Sequence, residues 1–231
     1  MAVLLIAADA QEFRGLLKYC RNVKPLGWPV HWARAAQLNG RELWMAANGA
    51  GGLRAAQVVE IAKAAGEPEM VCSVGFCGGL SRDLQAGDIF VAERVQAGGR
   101  EYAVVKPESS RAHHSGVLAS VDRVAQTVEE KAELRARGAD AVEMEAGGVV
   151  ARAAELGLPA CSVRAVTDLA GESFGMDFNS MLREDGRFGT MRLIAAACRR
   201  PLSTLPELWR LGKRSHLASR NLGEFIAHCR F

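Results

Sequence analysis

The chain has 231 residues, of which 49% are hydrophobic and 24% are charged, and its formal net charge is +3. This composition is typical of a globular protein and excludes a disordered one, and the length fits one domain with a buried core. No stretch reaches the roughly 18 uninterrupted apolar residues of a membrane-spanning helix, and no basic leader precedes the first apolar segment. The sequence therefore predicts a cytoplasmic protein.

Apolar runs of strand length alternate with segments of helical spacing along the chain. Strands are predicted over residues 3–8, 42–47, 70–75, 88–95, 117–120, 141–142 and 160–166. Helices are predicted over residues 12–19, 54–65, 126–135, 145–155, 180–199 and 204–228, the last interrupted or kinked near Gly212. This alternation predicts a mixed α/β sheet with helices on both faces. Because no linker, repeat or low-complexity tract divides the chain, we expect a single domain over residues 1–231.

The charge is concentrated at the C-terminal end, in a basic helical extension over about residues 199–231. This segment carries seven lysines and arginines against Glu207 and Glu224, a balance of +5, so the rest of the chain sums to −2. A solvated helix face explains such a segment, and peripheral contact with an anionic membrane surface is the alternative. Nucleic-acid binding is disfavoured, because only Trp209 lies among the basic residues.

The cysteine and histidine pattern argues against a metal site. Six cysteines are scattered without a Cys-x-x-Cys pair and lie mostly in apolar stretches, as reduced core thiols of a cytoplasmic protein do. His113 and His114 form the only histidine cluster, and adjacent side chains in a polar loop diverge instead of converging on one ion. We predict no metal and no cofactor.

Two predicted strands end in carboxylates. Glu145 follows the short strand at residues 141–142, and Asp168 ends the strand that carries Arg164. Because open α/β sheets bind ligands in the crevice beyond the carboxyl ends of their strands, we expect both carboxylates in one pocket. Two solvated acids at strand ends are the alternative interpretation.

Four blocks of sequence, in order, resemble the nucleoside phosphorylase and nucleosidase superfamily, in particular its branch of methylthioadenosine/S-adenosylhomocysteine nucleosidases. The blocks are residues 3–13, residues 48–56, residues 74–80 with 87–91, and Glu-Met-Glu-Ala at 143–146 with Arg-Ala-Val-Thr-Asp at 164–168. The resemblance extends from residue 1 to about residue 200. It implies a three-layer αβα fold with a mixed, partly barrel-like central sheet, and a homodimer or larger homo-oligomer.

The resemblance also implies the reaction, which is cleavage of the bond between ribose and a purine through an oxocarbenium-like state. Asp168 would protonate purine N7, with a structural N-cap as its alternative role. Glu145 would accept hydrogen bonds from the ribose 2′- and 3′-hydroxyls, with Met144 against the sugar. The other residues that the resemblance assigns to nucleoside binding are Phe76, Gly78, Val124, Thr167, Arg164 and Phe178.

The nucleophile is either water or phosphate. Glu12 stands where the superfamily's phosphorylases carry a phosphate-binding arginine, and a glutamate there suits the activation of water. Phe76 lies in the glycine-rich loop where Thr-Gly-Ser is common, and its side chain cannot bind phosphate. Arg14, Arg54 and the amides of residues 51–52 remain as phosphate ligands, so phosphorolysis is the alternative. A non-catalytic nucleoside-binding module is less expected, because it needs no acid and base together.

The 5′ substituent of the substrate is suggested by a narrower resemblance. Val124 lies where an aromatic usually stacks on the base, and residues 176–179 and 185–188 resemble the hopanoid-associated phosphorylases, which are thought to remove adenine from adenosylhopane. A lipid-sized substituent needs an apolar path. The residues available for it are Phe174, Met176, Phe178 and Met181, for which ordinary packing is the alternative.

Overall fold

Ten strands form one mixed sheet in the part of the chain that the structure, a computed structural model, describes: residues 2–187 and 201–231, with backbone only for 201–204. The strands are β1 Ala2–Ala7, β2 Arg21–Pro25, β3 Trp32–Leu38, β4 Arg41–Ala47, β5 Met70–Gly79, β6 Ile89–Ala97, β7 Arg100–Ala103, β8 His114–Ser120, β9 Ala141–Glu143 and β10 Ala160–Asp168. β10 pairs with both β5 and β6, which closes β5, β10, β6, β8 and β9 into a ring. This ring is the barrel-like part of the sheet, and the prediction of fold class is confirmed.

Helices cover the sheet and agree broadly with the helical spacing of the sequence. A 3₁₀ helix at Ala10–Phe13 leads into α1 Arg14–Leu17, followed by α2 Gly52–Ala65, α3 Val128–Ala136, α4 Ala146–Glu155, α5 Phe178–Met181 and α6 Pro201–Ala227. The helix predicted over residues 180–199 is wrong at residues 182–187, because the backbone turns extended at Leu182. The rest of that prediction lies outside the described residues. Of the interruption or kink predicted near Gly212, the interruption is wrong, since α6 continues through this residue, and the kink stays a prediction.

Strand β1 and its neighbours form the centre of the sheet. All six residues of β1 are apolar and buried, and the strand pairs in parallel with β4 and β5. A strand covered on both faces has no polar side, so its sequence is a continuous apolar run. β2 and β3 were not predicted. β2 is exposed along its whole length and, within the part of the chain that the structure describes, pairs only with β3 at this edge of the sheet, so it carries no apolar pattern.

The C-terminal half of α6 packs on α1 through glycine. A Cβ atom added at Gly15 would lie 1.9 Å from the carbonyl oxygen of Ser219, and one at Gly223 would lie 2.2 Å from the carbonyl carbon of Gly15. Apolar residues of this half, such as Phe225, are buried in the core. Within the described residues, no helix is both long and apolar enough to cross a membrane.

Candidate active site

A cavity of about 260 Å³ opens at the carboxyl ends of β1, β5, β9 and β10. Eight of the residues predicted from the sequence line it: Glu12, Phe76, Gly78, Val124, Met144, Glu145, Thr167 and Asp168. The structure therefore brings the carboxyl groups expected to act on a nucleoside into one wall. Arg164 and Phe178 do not line the cavity, and their positions are described below.

Glu12 is fixed by the turn that follows β1. Asp9 caps the 3₁₀ helix by accepting from the N–H of Gln11, and Glu12 Oε2 reaches back to the N–H groups of Ala8 and Asp9, both at 3.0 Å. Glu12 Oε1 accepts from the N–H of Phe76 at 2.9 Å. Burial raises the pKa of Glu12, although the hydrogen bonds from the N–H groups of Asp9 and Phe76 and the charge of Arg164 oppose the shift. A carboxylate that is held in place and whose pKa is raised is a stronger base than an ordinary glutamate, which suits the removal of a proton from water.

Gly75 is the residue that lets β5 reach Glu12. Its φ is +148°, and a Cβ atom there would lie 2.7 Å from Glu12 Oε1 and 2.8 Å from Arg164 Nη1. Only glycine combines this conformation with such a close approach to both side chains.

Arg164 lies beneath the cavity wall, which corrects the prediction that it binds substrate directly. Its side chain is 0% exposed and forms an ion pair with Glu143 and a hydrogen bond with the Ser73 hydroxyl. Its Nη1 atom lies 3.5 Å from Glu145 Oε2. Strand β10 is buried along almost its whole length, so neither of its two faces is exposed to solvent or to the cavity at the position of this arginine. Arg164 thus holds the two glutamates of the Glu-Met-Glu-Ala segment.

Glu143 and Glu145 share the start of α4. Glu143 accepts from the N–H groups of Glu145 at 2.8 Å and Ala146 at 2.9 Å, which satisfies free donors of the first turn. Glu145 Oε1 accepts from the N–H of Gly51 at 3.1 Å. Burial and the neighbouring Glu143 raise the pKa of Glu145 to about 8, with Arg164 opposing the shift. A carboxyl group of this kind, facing the cavity, can both accept from and donate to sugar hydroxyls.

Asp168 ends β10 and meets a buried lysine. Its Oδ1 atom accepts from the Thr167 hydroxyl at 3.1 Å, and its Oδ2 atom lies 2.5 Å from Lys131 Nζ. A Cβ atom at Gly78 would lie 2.8 Å from Asp168 Oδ2, so this glycine allows β5 to pass close to the carboxyl group. Lys131 was not predicted as a site residue.

The far wall of the cavity is apolar and is held by the segment at residues 174–179. Asn179 accepts from the main-chain N–H of Val124 at 2.8 Å and donates to its carbonyl oxygen at 3.0 Å. Phe174 lines the cavity, and Phe178 packs edge-on against it at 5.0 Å between ring centroids. Phe178 does not itself line the cavity, and its contact with substrate stays a prediction. Met176 and Met181 are buried and do not line the cavity.

Comparison with protein-family models identifies the chain. The model described as the phosphorylase superfamily matches residues 2–112 and 107–187. The chain belongs to the phosphorylase superfamily. This result confirms the family prediction, and the relatives below agree with an enzyme of the nucleosidase or nucleoside phosphorylase kind.

Three relatives illustrate the likeness within the superfamily. A 5′-methylthioadenosine/S-adenosylhomocysteine nucleosidase of Oceanobacillus iheyensis is 23% identical over 84% of this chain and 97% of its own. An aminodeoxyfutalosine nucleosidase of Helicobacter pylori is 28% identical over 48% of this chain and 60% of its own. The crystal structure of the Neisseria meningitidis 5′-methylthioadenosine/S-adenosylhomocysteine nucleosidase, in complex with methylthio-immucillin-A, has a TM-score of 0.73 at 21% identity, covering 98% and 97% of the two chains.

Three of the groups that the superfamily resemblance left available for phosphate either lie outside the cavity or are already hydrogen-bonded. Arg14 is exposed on α1 and does not line the cavity. Arg54 donates to the carbonyl oxygen of Glu184, and the N–H of Gly51 donates to Glu145. Among the described residues, the basic ones that line the cavity are Arg123, paired with Glu130 at 2.6 Å, and Arg187, which donates to His31 at 3.2 Å.

Proposed function

We propose that this superfamily member hydrolyses the N-glycosidic bond of an adenine nucleoside and releases the free base. The observation that carries the proposal is the set of three carboxyl groups, those of Glu12, Glu145 and Asp168, in the wall of one cavity. Each has different partners, and such differences assign acid and base roles to chemically identical side chains.

The three carboxyl groups divide the reaction between them. Asp168 donates a proton to purine N7, which makes the base a neutral leaving group. Glu145 binds the ribose 2′- and 3′-hydroxyls while positive charge develops on the sugar, and Met144 contacts the ring. Glu12 removes a proton from the water that attacks C1′, in the manner of a general base. Gly78 and Thr167 line the part of the cavity next to Asp168 and contact the base.

Water is favoured over phosphate as the nucleophile because Glu12 repels an anion at this end of the cavity. Its carboxylate also uses the Phe76 N–H, which a phosphate oxygen would otherwise need. Two more candidate anion ligands, the guanidinium of Arg54 and the N–H of Gly51, are hydrogen-bonded within the protein. Phosphorolysis, in which phosphate replaces water as the nucleophile, is the alternative function for the same fold.

A bulky apolar 5′ substituent, as in adenosylhopane, is the substrate feature that we propose, with a place in hopanoid biosynthesis. The cavity volume of about 260 Å³ lies just below the range of ordinary ligand pockets, which occupy about 300–1,000 Å³. It suits the nucleoside itself, so a long substituent would leave through the opening. Phe174 and Val124 line the cavity and provide the apolar contacts that such a substituent needs.

The remaining proposals concern the surroundings of the enzyme. We propose a cytoplasmic homodimer or larger homo-oligomer whose basic helix α6 contacts an anionic membrane surface. On α6, Leu205 and Trp209 are 55% and 66% exposed, and Lys213 Nζ lies 3.5 Å from the Trp209 ring centroid. Exposed tryptophan beside lysine is typical of helices that lie in a membrane interface.

The test is the release of adenine, followed by chromatography, from adenosines with 5′-methylthio, 5′-homocysteinyl or long 5′-alkyl groups. We expect release without phosphate, free ribose derivatives as the sugar product, and preference for the alkyl group. Asp168→Asn is the matched control for contaminating activity. Release that requires phosphate would overturn hydrolysis, and preference for the small substituent would overturn the hopanoid assignment.

A further inference from the structure

Lys131 is a buried lysine whose three ammonium protons all have acceptors. Its side chain is 1% exposed, and Nζ donates to Asp168 Oδ2 at 2.5 Å, to the carbonyl oxygen of Leu169 at 2.9 Å and to that of Glu172 at 3.0 Å. Lysine is rarely fully buried unless it is paired, and an ammonium group has no more than three protons to donate. The position is therefore built for this side chain.

The two carbonyl acceptors belong to a turn that is itself fixed. The N–H of Glu172 donates to the carbonyl oxygen of Leu169 at 3.0 Å, and the N–H of Leu169 donates to Glu172 Oε2, also at 3.0 Å. Arg214 of α6 pairs with the same carboxylate at 2.6 Å. Helix α6 thus holds the turn that receives Lys131, directly after the strand that carries Asp168.

A structural role alone does not account for this ion pair. Taking an ammonium and a carboxylate out of water costs several kcal/mol per ion, and replacing such pairs with apolar residues is often neutral or stabilising. Here, moreover, the carboxylate is not enclosed on all sides, because Asp168 lines the cavity while Lys131 lies behind it. The pair connects a buried proton donor to the wall where the proposed reaction needs a proton.

We propose that Lys131 is a positioning residue that holds Asp168 and supplies the proton that Asp168 passes to the leaving base. This inference rests on the proposed function. As the C1′–N9 bond breaks, its electron pair moves to the purine, one proton moves from Nζ of Lys131 to Asp168, and Asp168 gives one proton to N7. Water adds to C1′ and loses its proton to Glu12. The neutral amine of Lys131 and the protonated Glu12 return to their starting forms by proton exchange with solvent after release of adenine.

The experiment compares Lys131→Met, which removes both the hydrogen bond and the proton, with Lys131→Gln, which keeps a hydrogen-bond donor, and Lys131→Arg, which keeps a charged donor. With an adenine nucleoside, we expect kcat to fall 10²- to 10³-fold in Lys131→Met, the scale of general acid catalysis, while KM changes less than threefold. Lys131→Gln should resemble Lys131→Met, and Lys131→Arg should also stay at least tenfold below the unchanged enzyme, because a guanidinium keeps its charge but does not release its proton. Arg135→Met, an exposed position on the same helix, is the control and should stay within threefold of the unchanged enzyme.

A second substrate separates proton supply from structural damage. An N7-methylated adenine nucleoside carries its positive charge already and loses its base without a proton, so its turnover should fall less than fivefold in Lys131→Met. Equal losses on both substrates, or a kcat for adenine release within threefold of the unchanged enzyme, would overturn the inference. Should Lys131→Met not fold, the same comparison of two substrates is made with Lys131→Gln. Should the methyl group prevent binding, a kcat for adenine release from Lys131→Gln or Lys131→Arg within threefold of the unchanged enzyme overturns the inference. Failure of the unchanged enzyme to release adenine would instead count against the proposed function.

Discussion

The main-chain N–H of Phe76 donates to Oε1 of Glu12 across 2.9 Å, which joins the glycine-rich end of β5 to the turn after β1. An N–H group in such a loop is otherwise suited to bind an anion. In this chain the anion is supplied by the protein itself, as the carboxylate of Glu12. The same contact therefore fixes the proposed base and removes a donor from any phosphate.

Replacing Glu12 with glutamine tests the role of that carboxylate. Glu12→Gln turns one of the two oxygen acceptors into an N–H₂ group and removes the proton acceptor, so hydrolysis of an adenine nucleoside should fall about 10²- to 10⁴-fold in kcat. Affinity for the nucleoside should change little, because Glu145 and Asp168 remain. Steady-state kinetics in phosphate-free buffer measures both quantities. Unchanged turnover would mean that another group activates the water.

Glu145→Gln should discriminate between sugars. The carboxyl group of Glu145 faces the cavity and is held by the N–H of Gly51, in a position to bind ribose hydroxyls. We expect kcat/KM for the riboside to fall at least tenfold more than for the matching 2′-deoxyriboside, which lacks one of these hydroxyls. Glu129→Gln, on the exposed side of α3, serves as the control. A uniform loss on both sugars would remove Glu145 from the sugar-binding role.

The pH dependence of stability should also report on Glu145. Burial and Glu143 raise its pKa from the ordinary 4.5 to about 8 in the folded protein. At pH values between 4.5 and 8, Glu145 keeps its proton in the folded protein, whereas the unfolded chain has lost it. The stabilisation that Glu145 contributes is therefore fully present below pH 4.5 and is lost as the pH rises through about 8. Glu145→Gln cannot lose the proton, so relative to the unchanged protein it should gain roughly 3–4 kcal/mol in unfolding free energy between pH 5 and pH 8.5. Urea unfolding at both pH values checks this, and an equal difference at both would contradict it.

The residues at strand ends were predictable, because their position follows from local pattern. A buried run that stops at a carboxylate marks the carboxyl edge of the sheet, and Glu145 and Asp168 both line the cavity for that reason. The limits of β5 were not predictable in the same way. The sequence suggests a loop after Gly75, yet the strand continues to Gly79. Residues 75–78 pair with β10, with Gly78 opposite Asp168, and Gly78 and Gly79 pair with β9.

The charged residues behind the cavity were missed for a different physical reason. Lys131 lies in a helix rich in Glu and Arg, so it reads as part of a solvated face, and its partner Asp168 is 37 residues away in sequence. Arg164 stands in a strand without alternation, so pattern alone does not tell whether it meets substrate or protein. Both side chains are placed by ion pairs between different elements of the fold, and helical or strand periodicity carries no information about such pairs.

Gly75→Ala tests whether the close approach of β5 to Glu12 is required. The added Cβ would lie 2.7 Å from Glu12 Oε1, and alanine disfavours the φ of +148° found there, so the variant should lose about 1–3 kcal/mol of stability and most of its hydrolytic activity. Gly27→Ala is the matched control, because nothing lies within 4 Å of the added atom. It should leave thermal unfolding and turnover nearly unchanged. If Gly75→Ala matched Gly27→Ala in both thermal unfolding and turnover, Gly75 would not be required for the contact between Phe76 and Glu12. Another residue would then have to fix the carboxylate of Glu12.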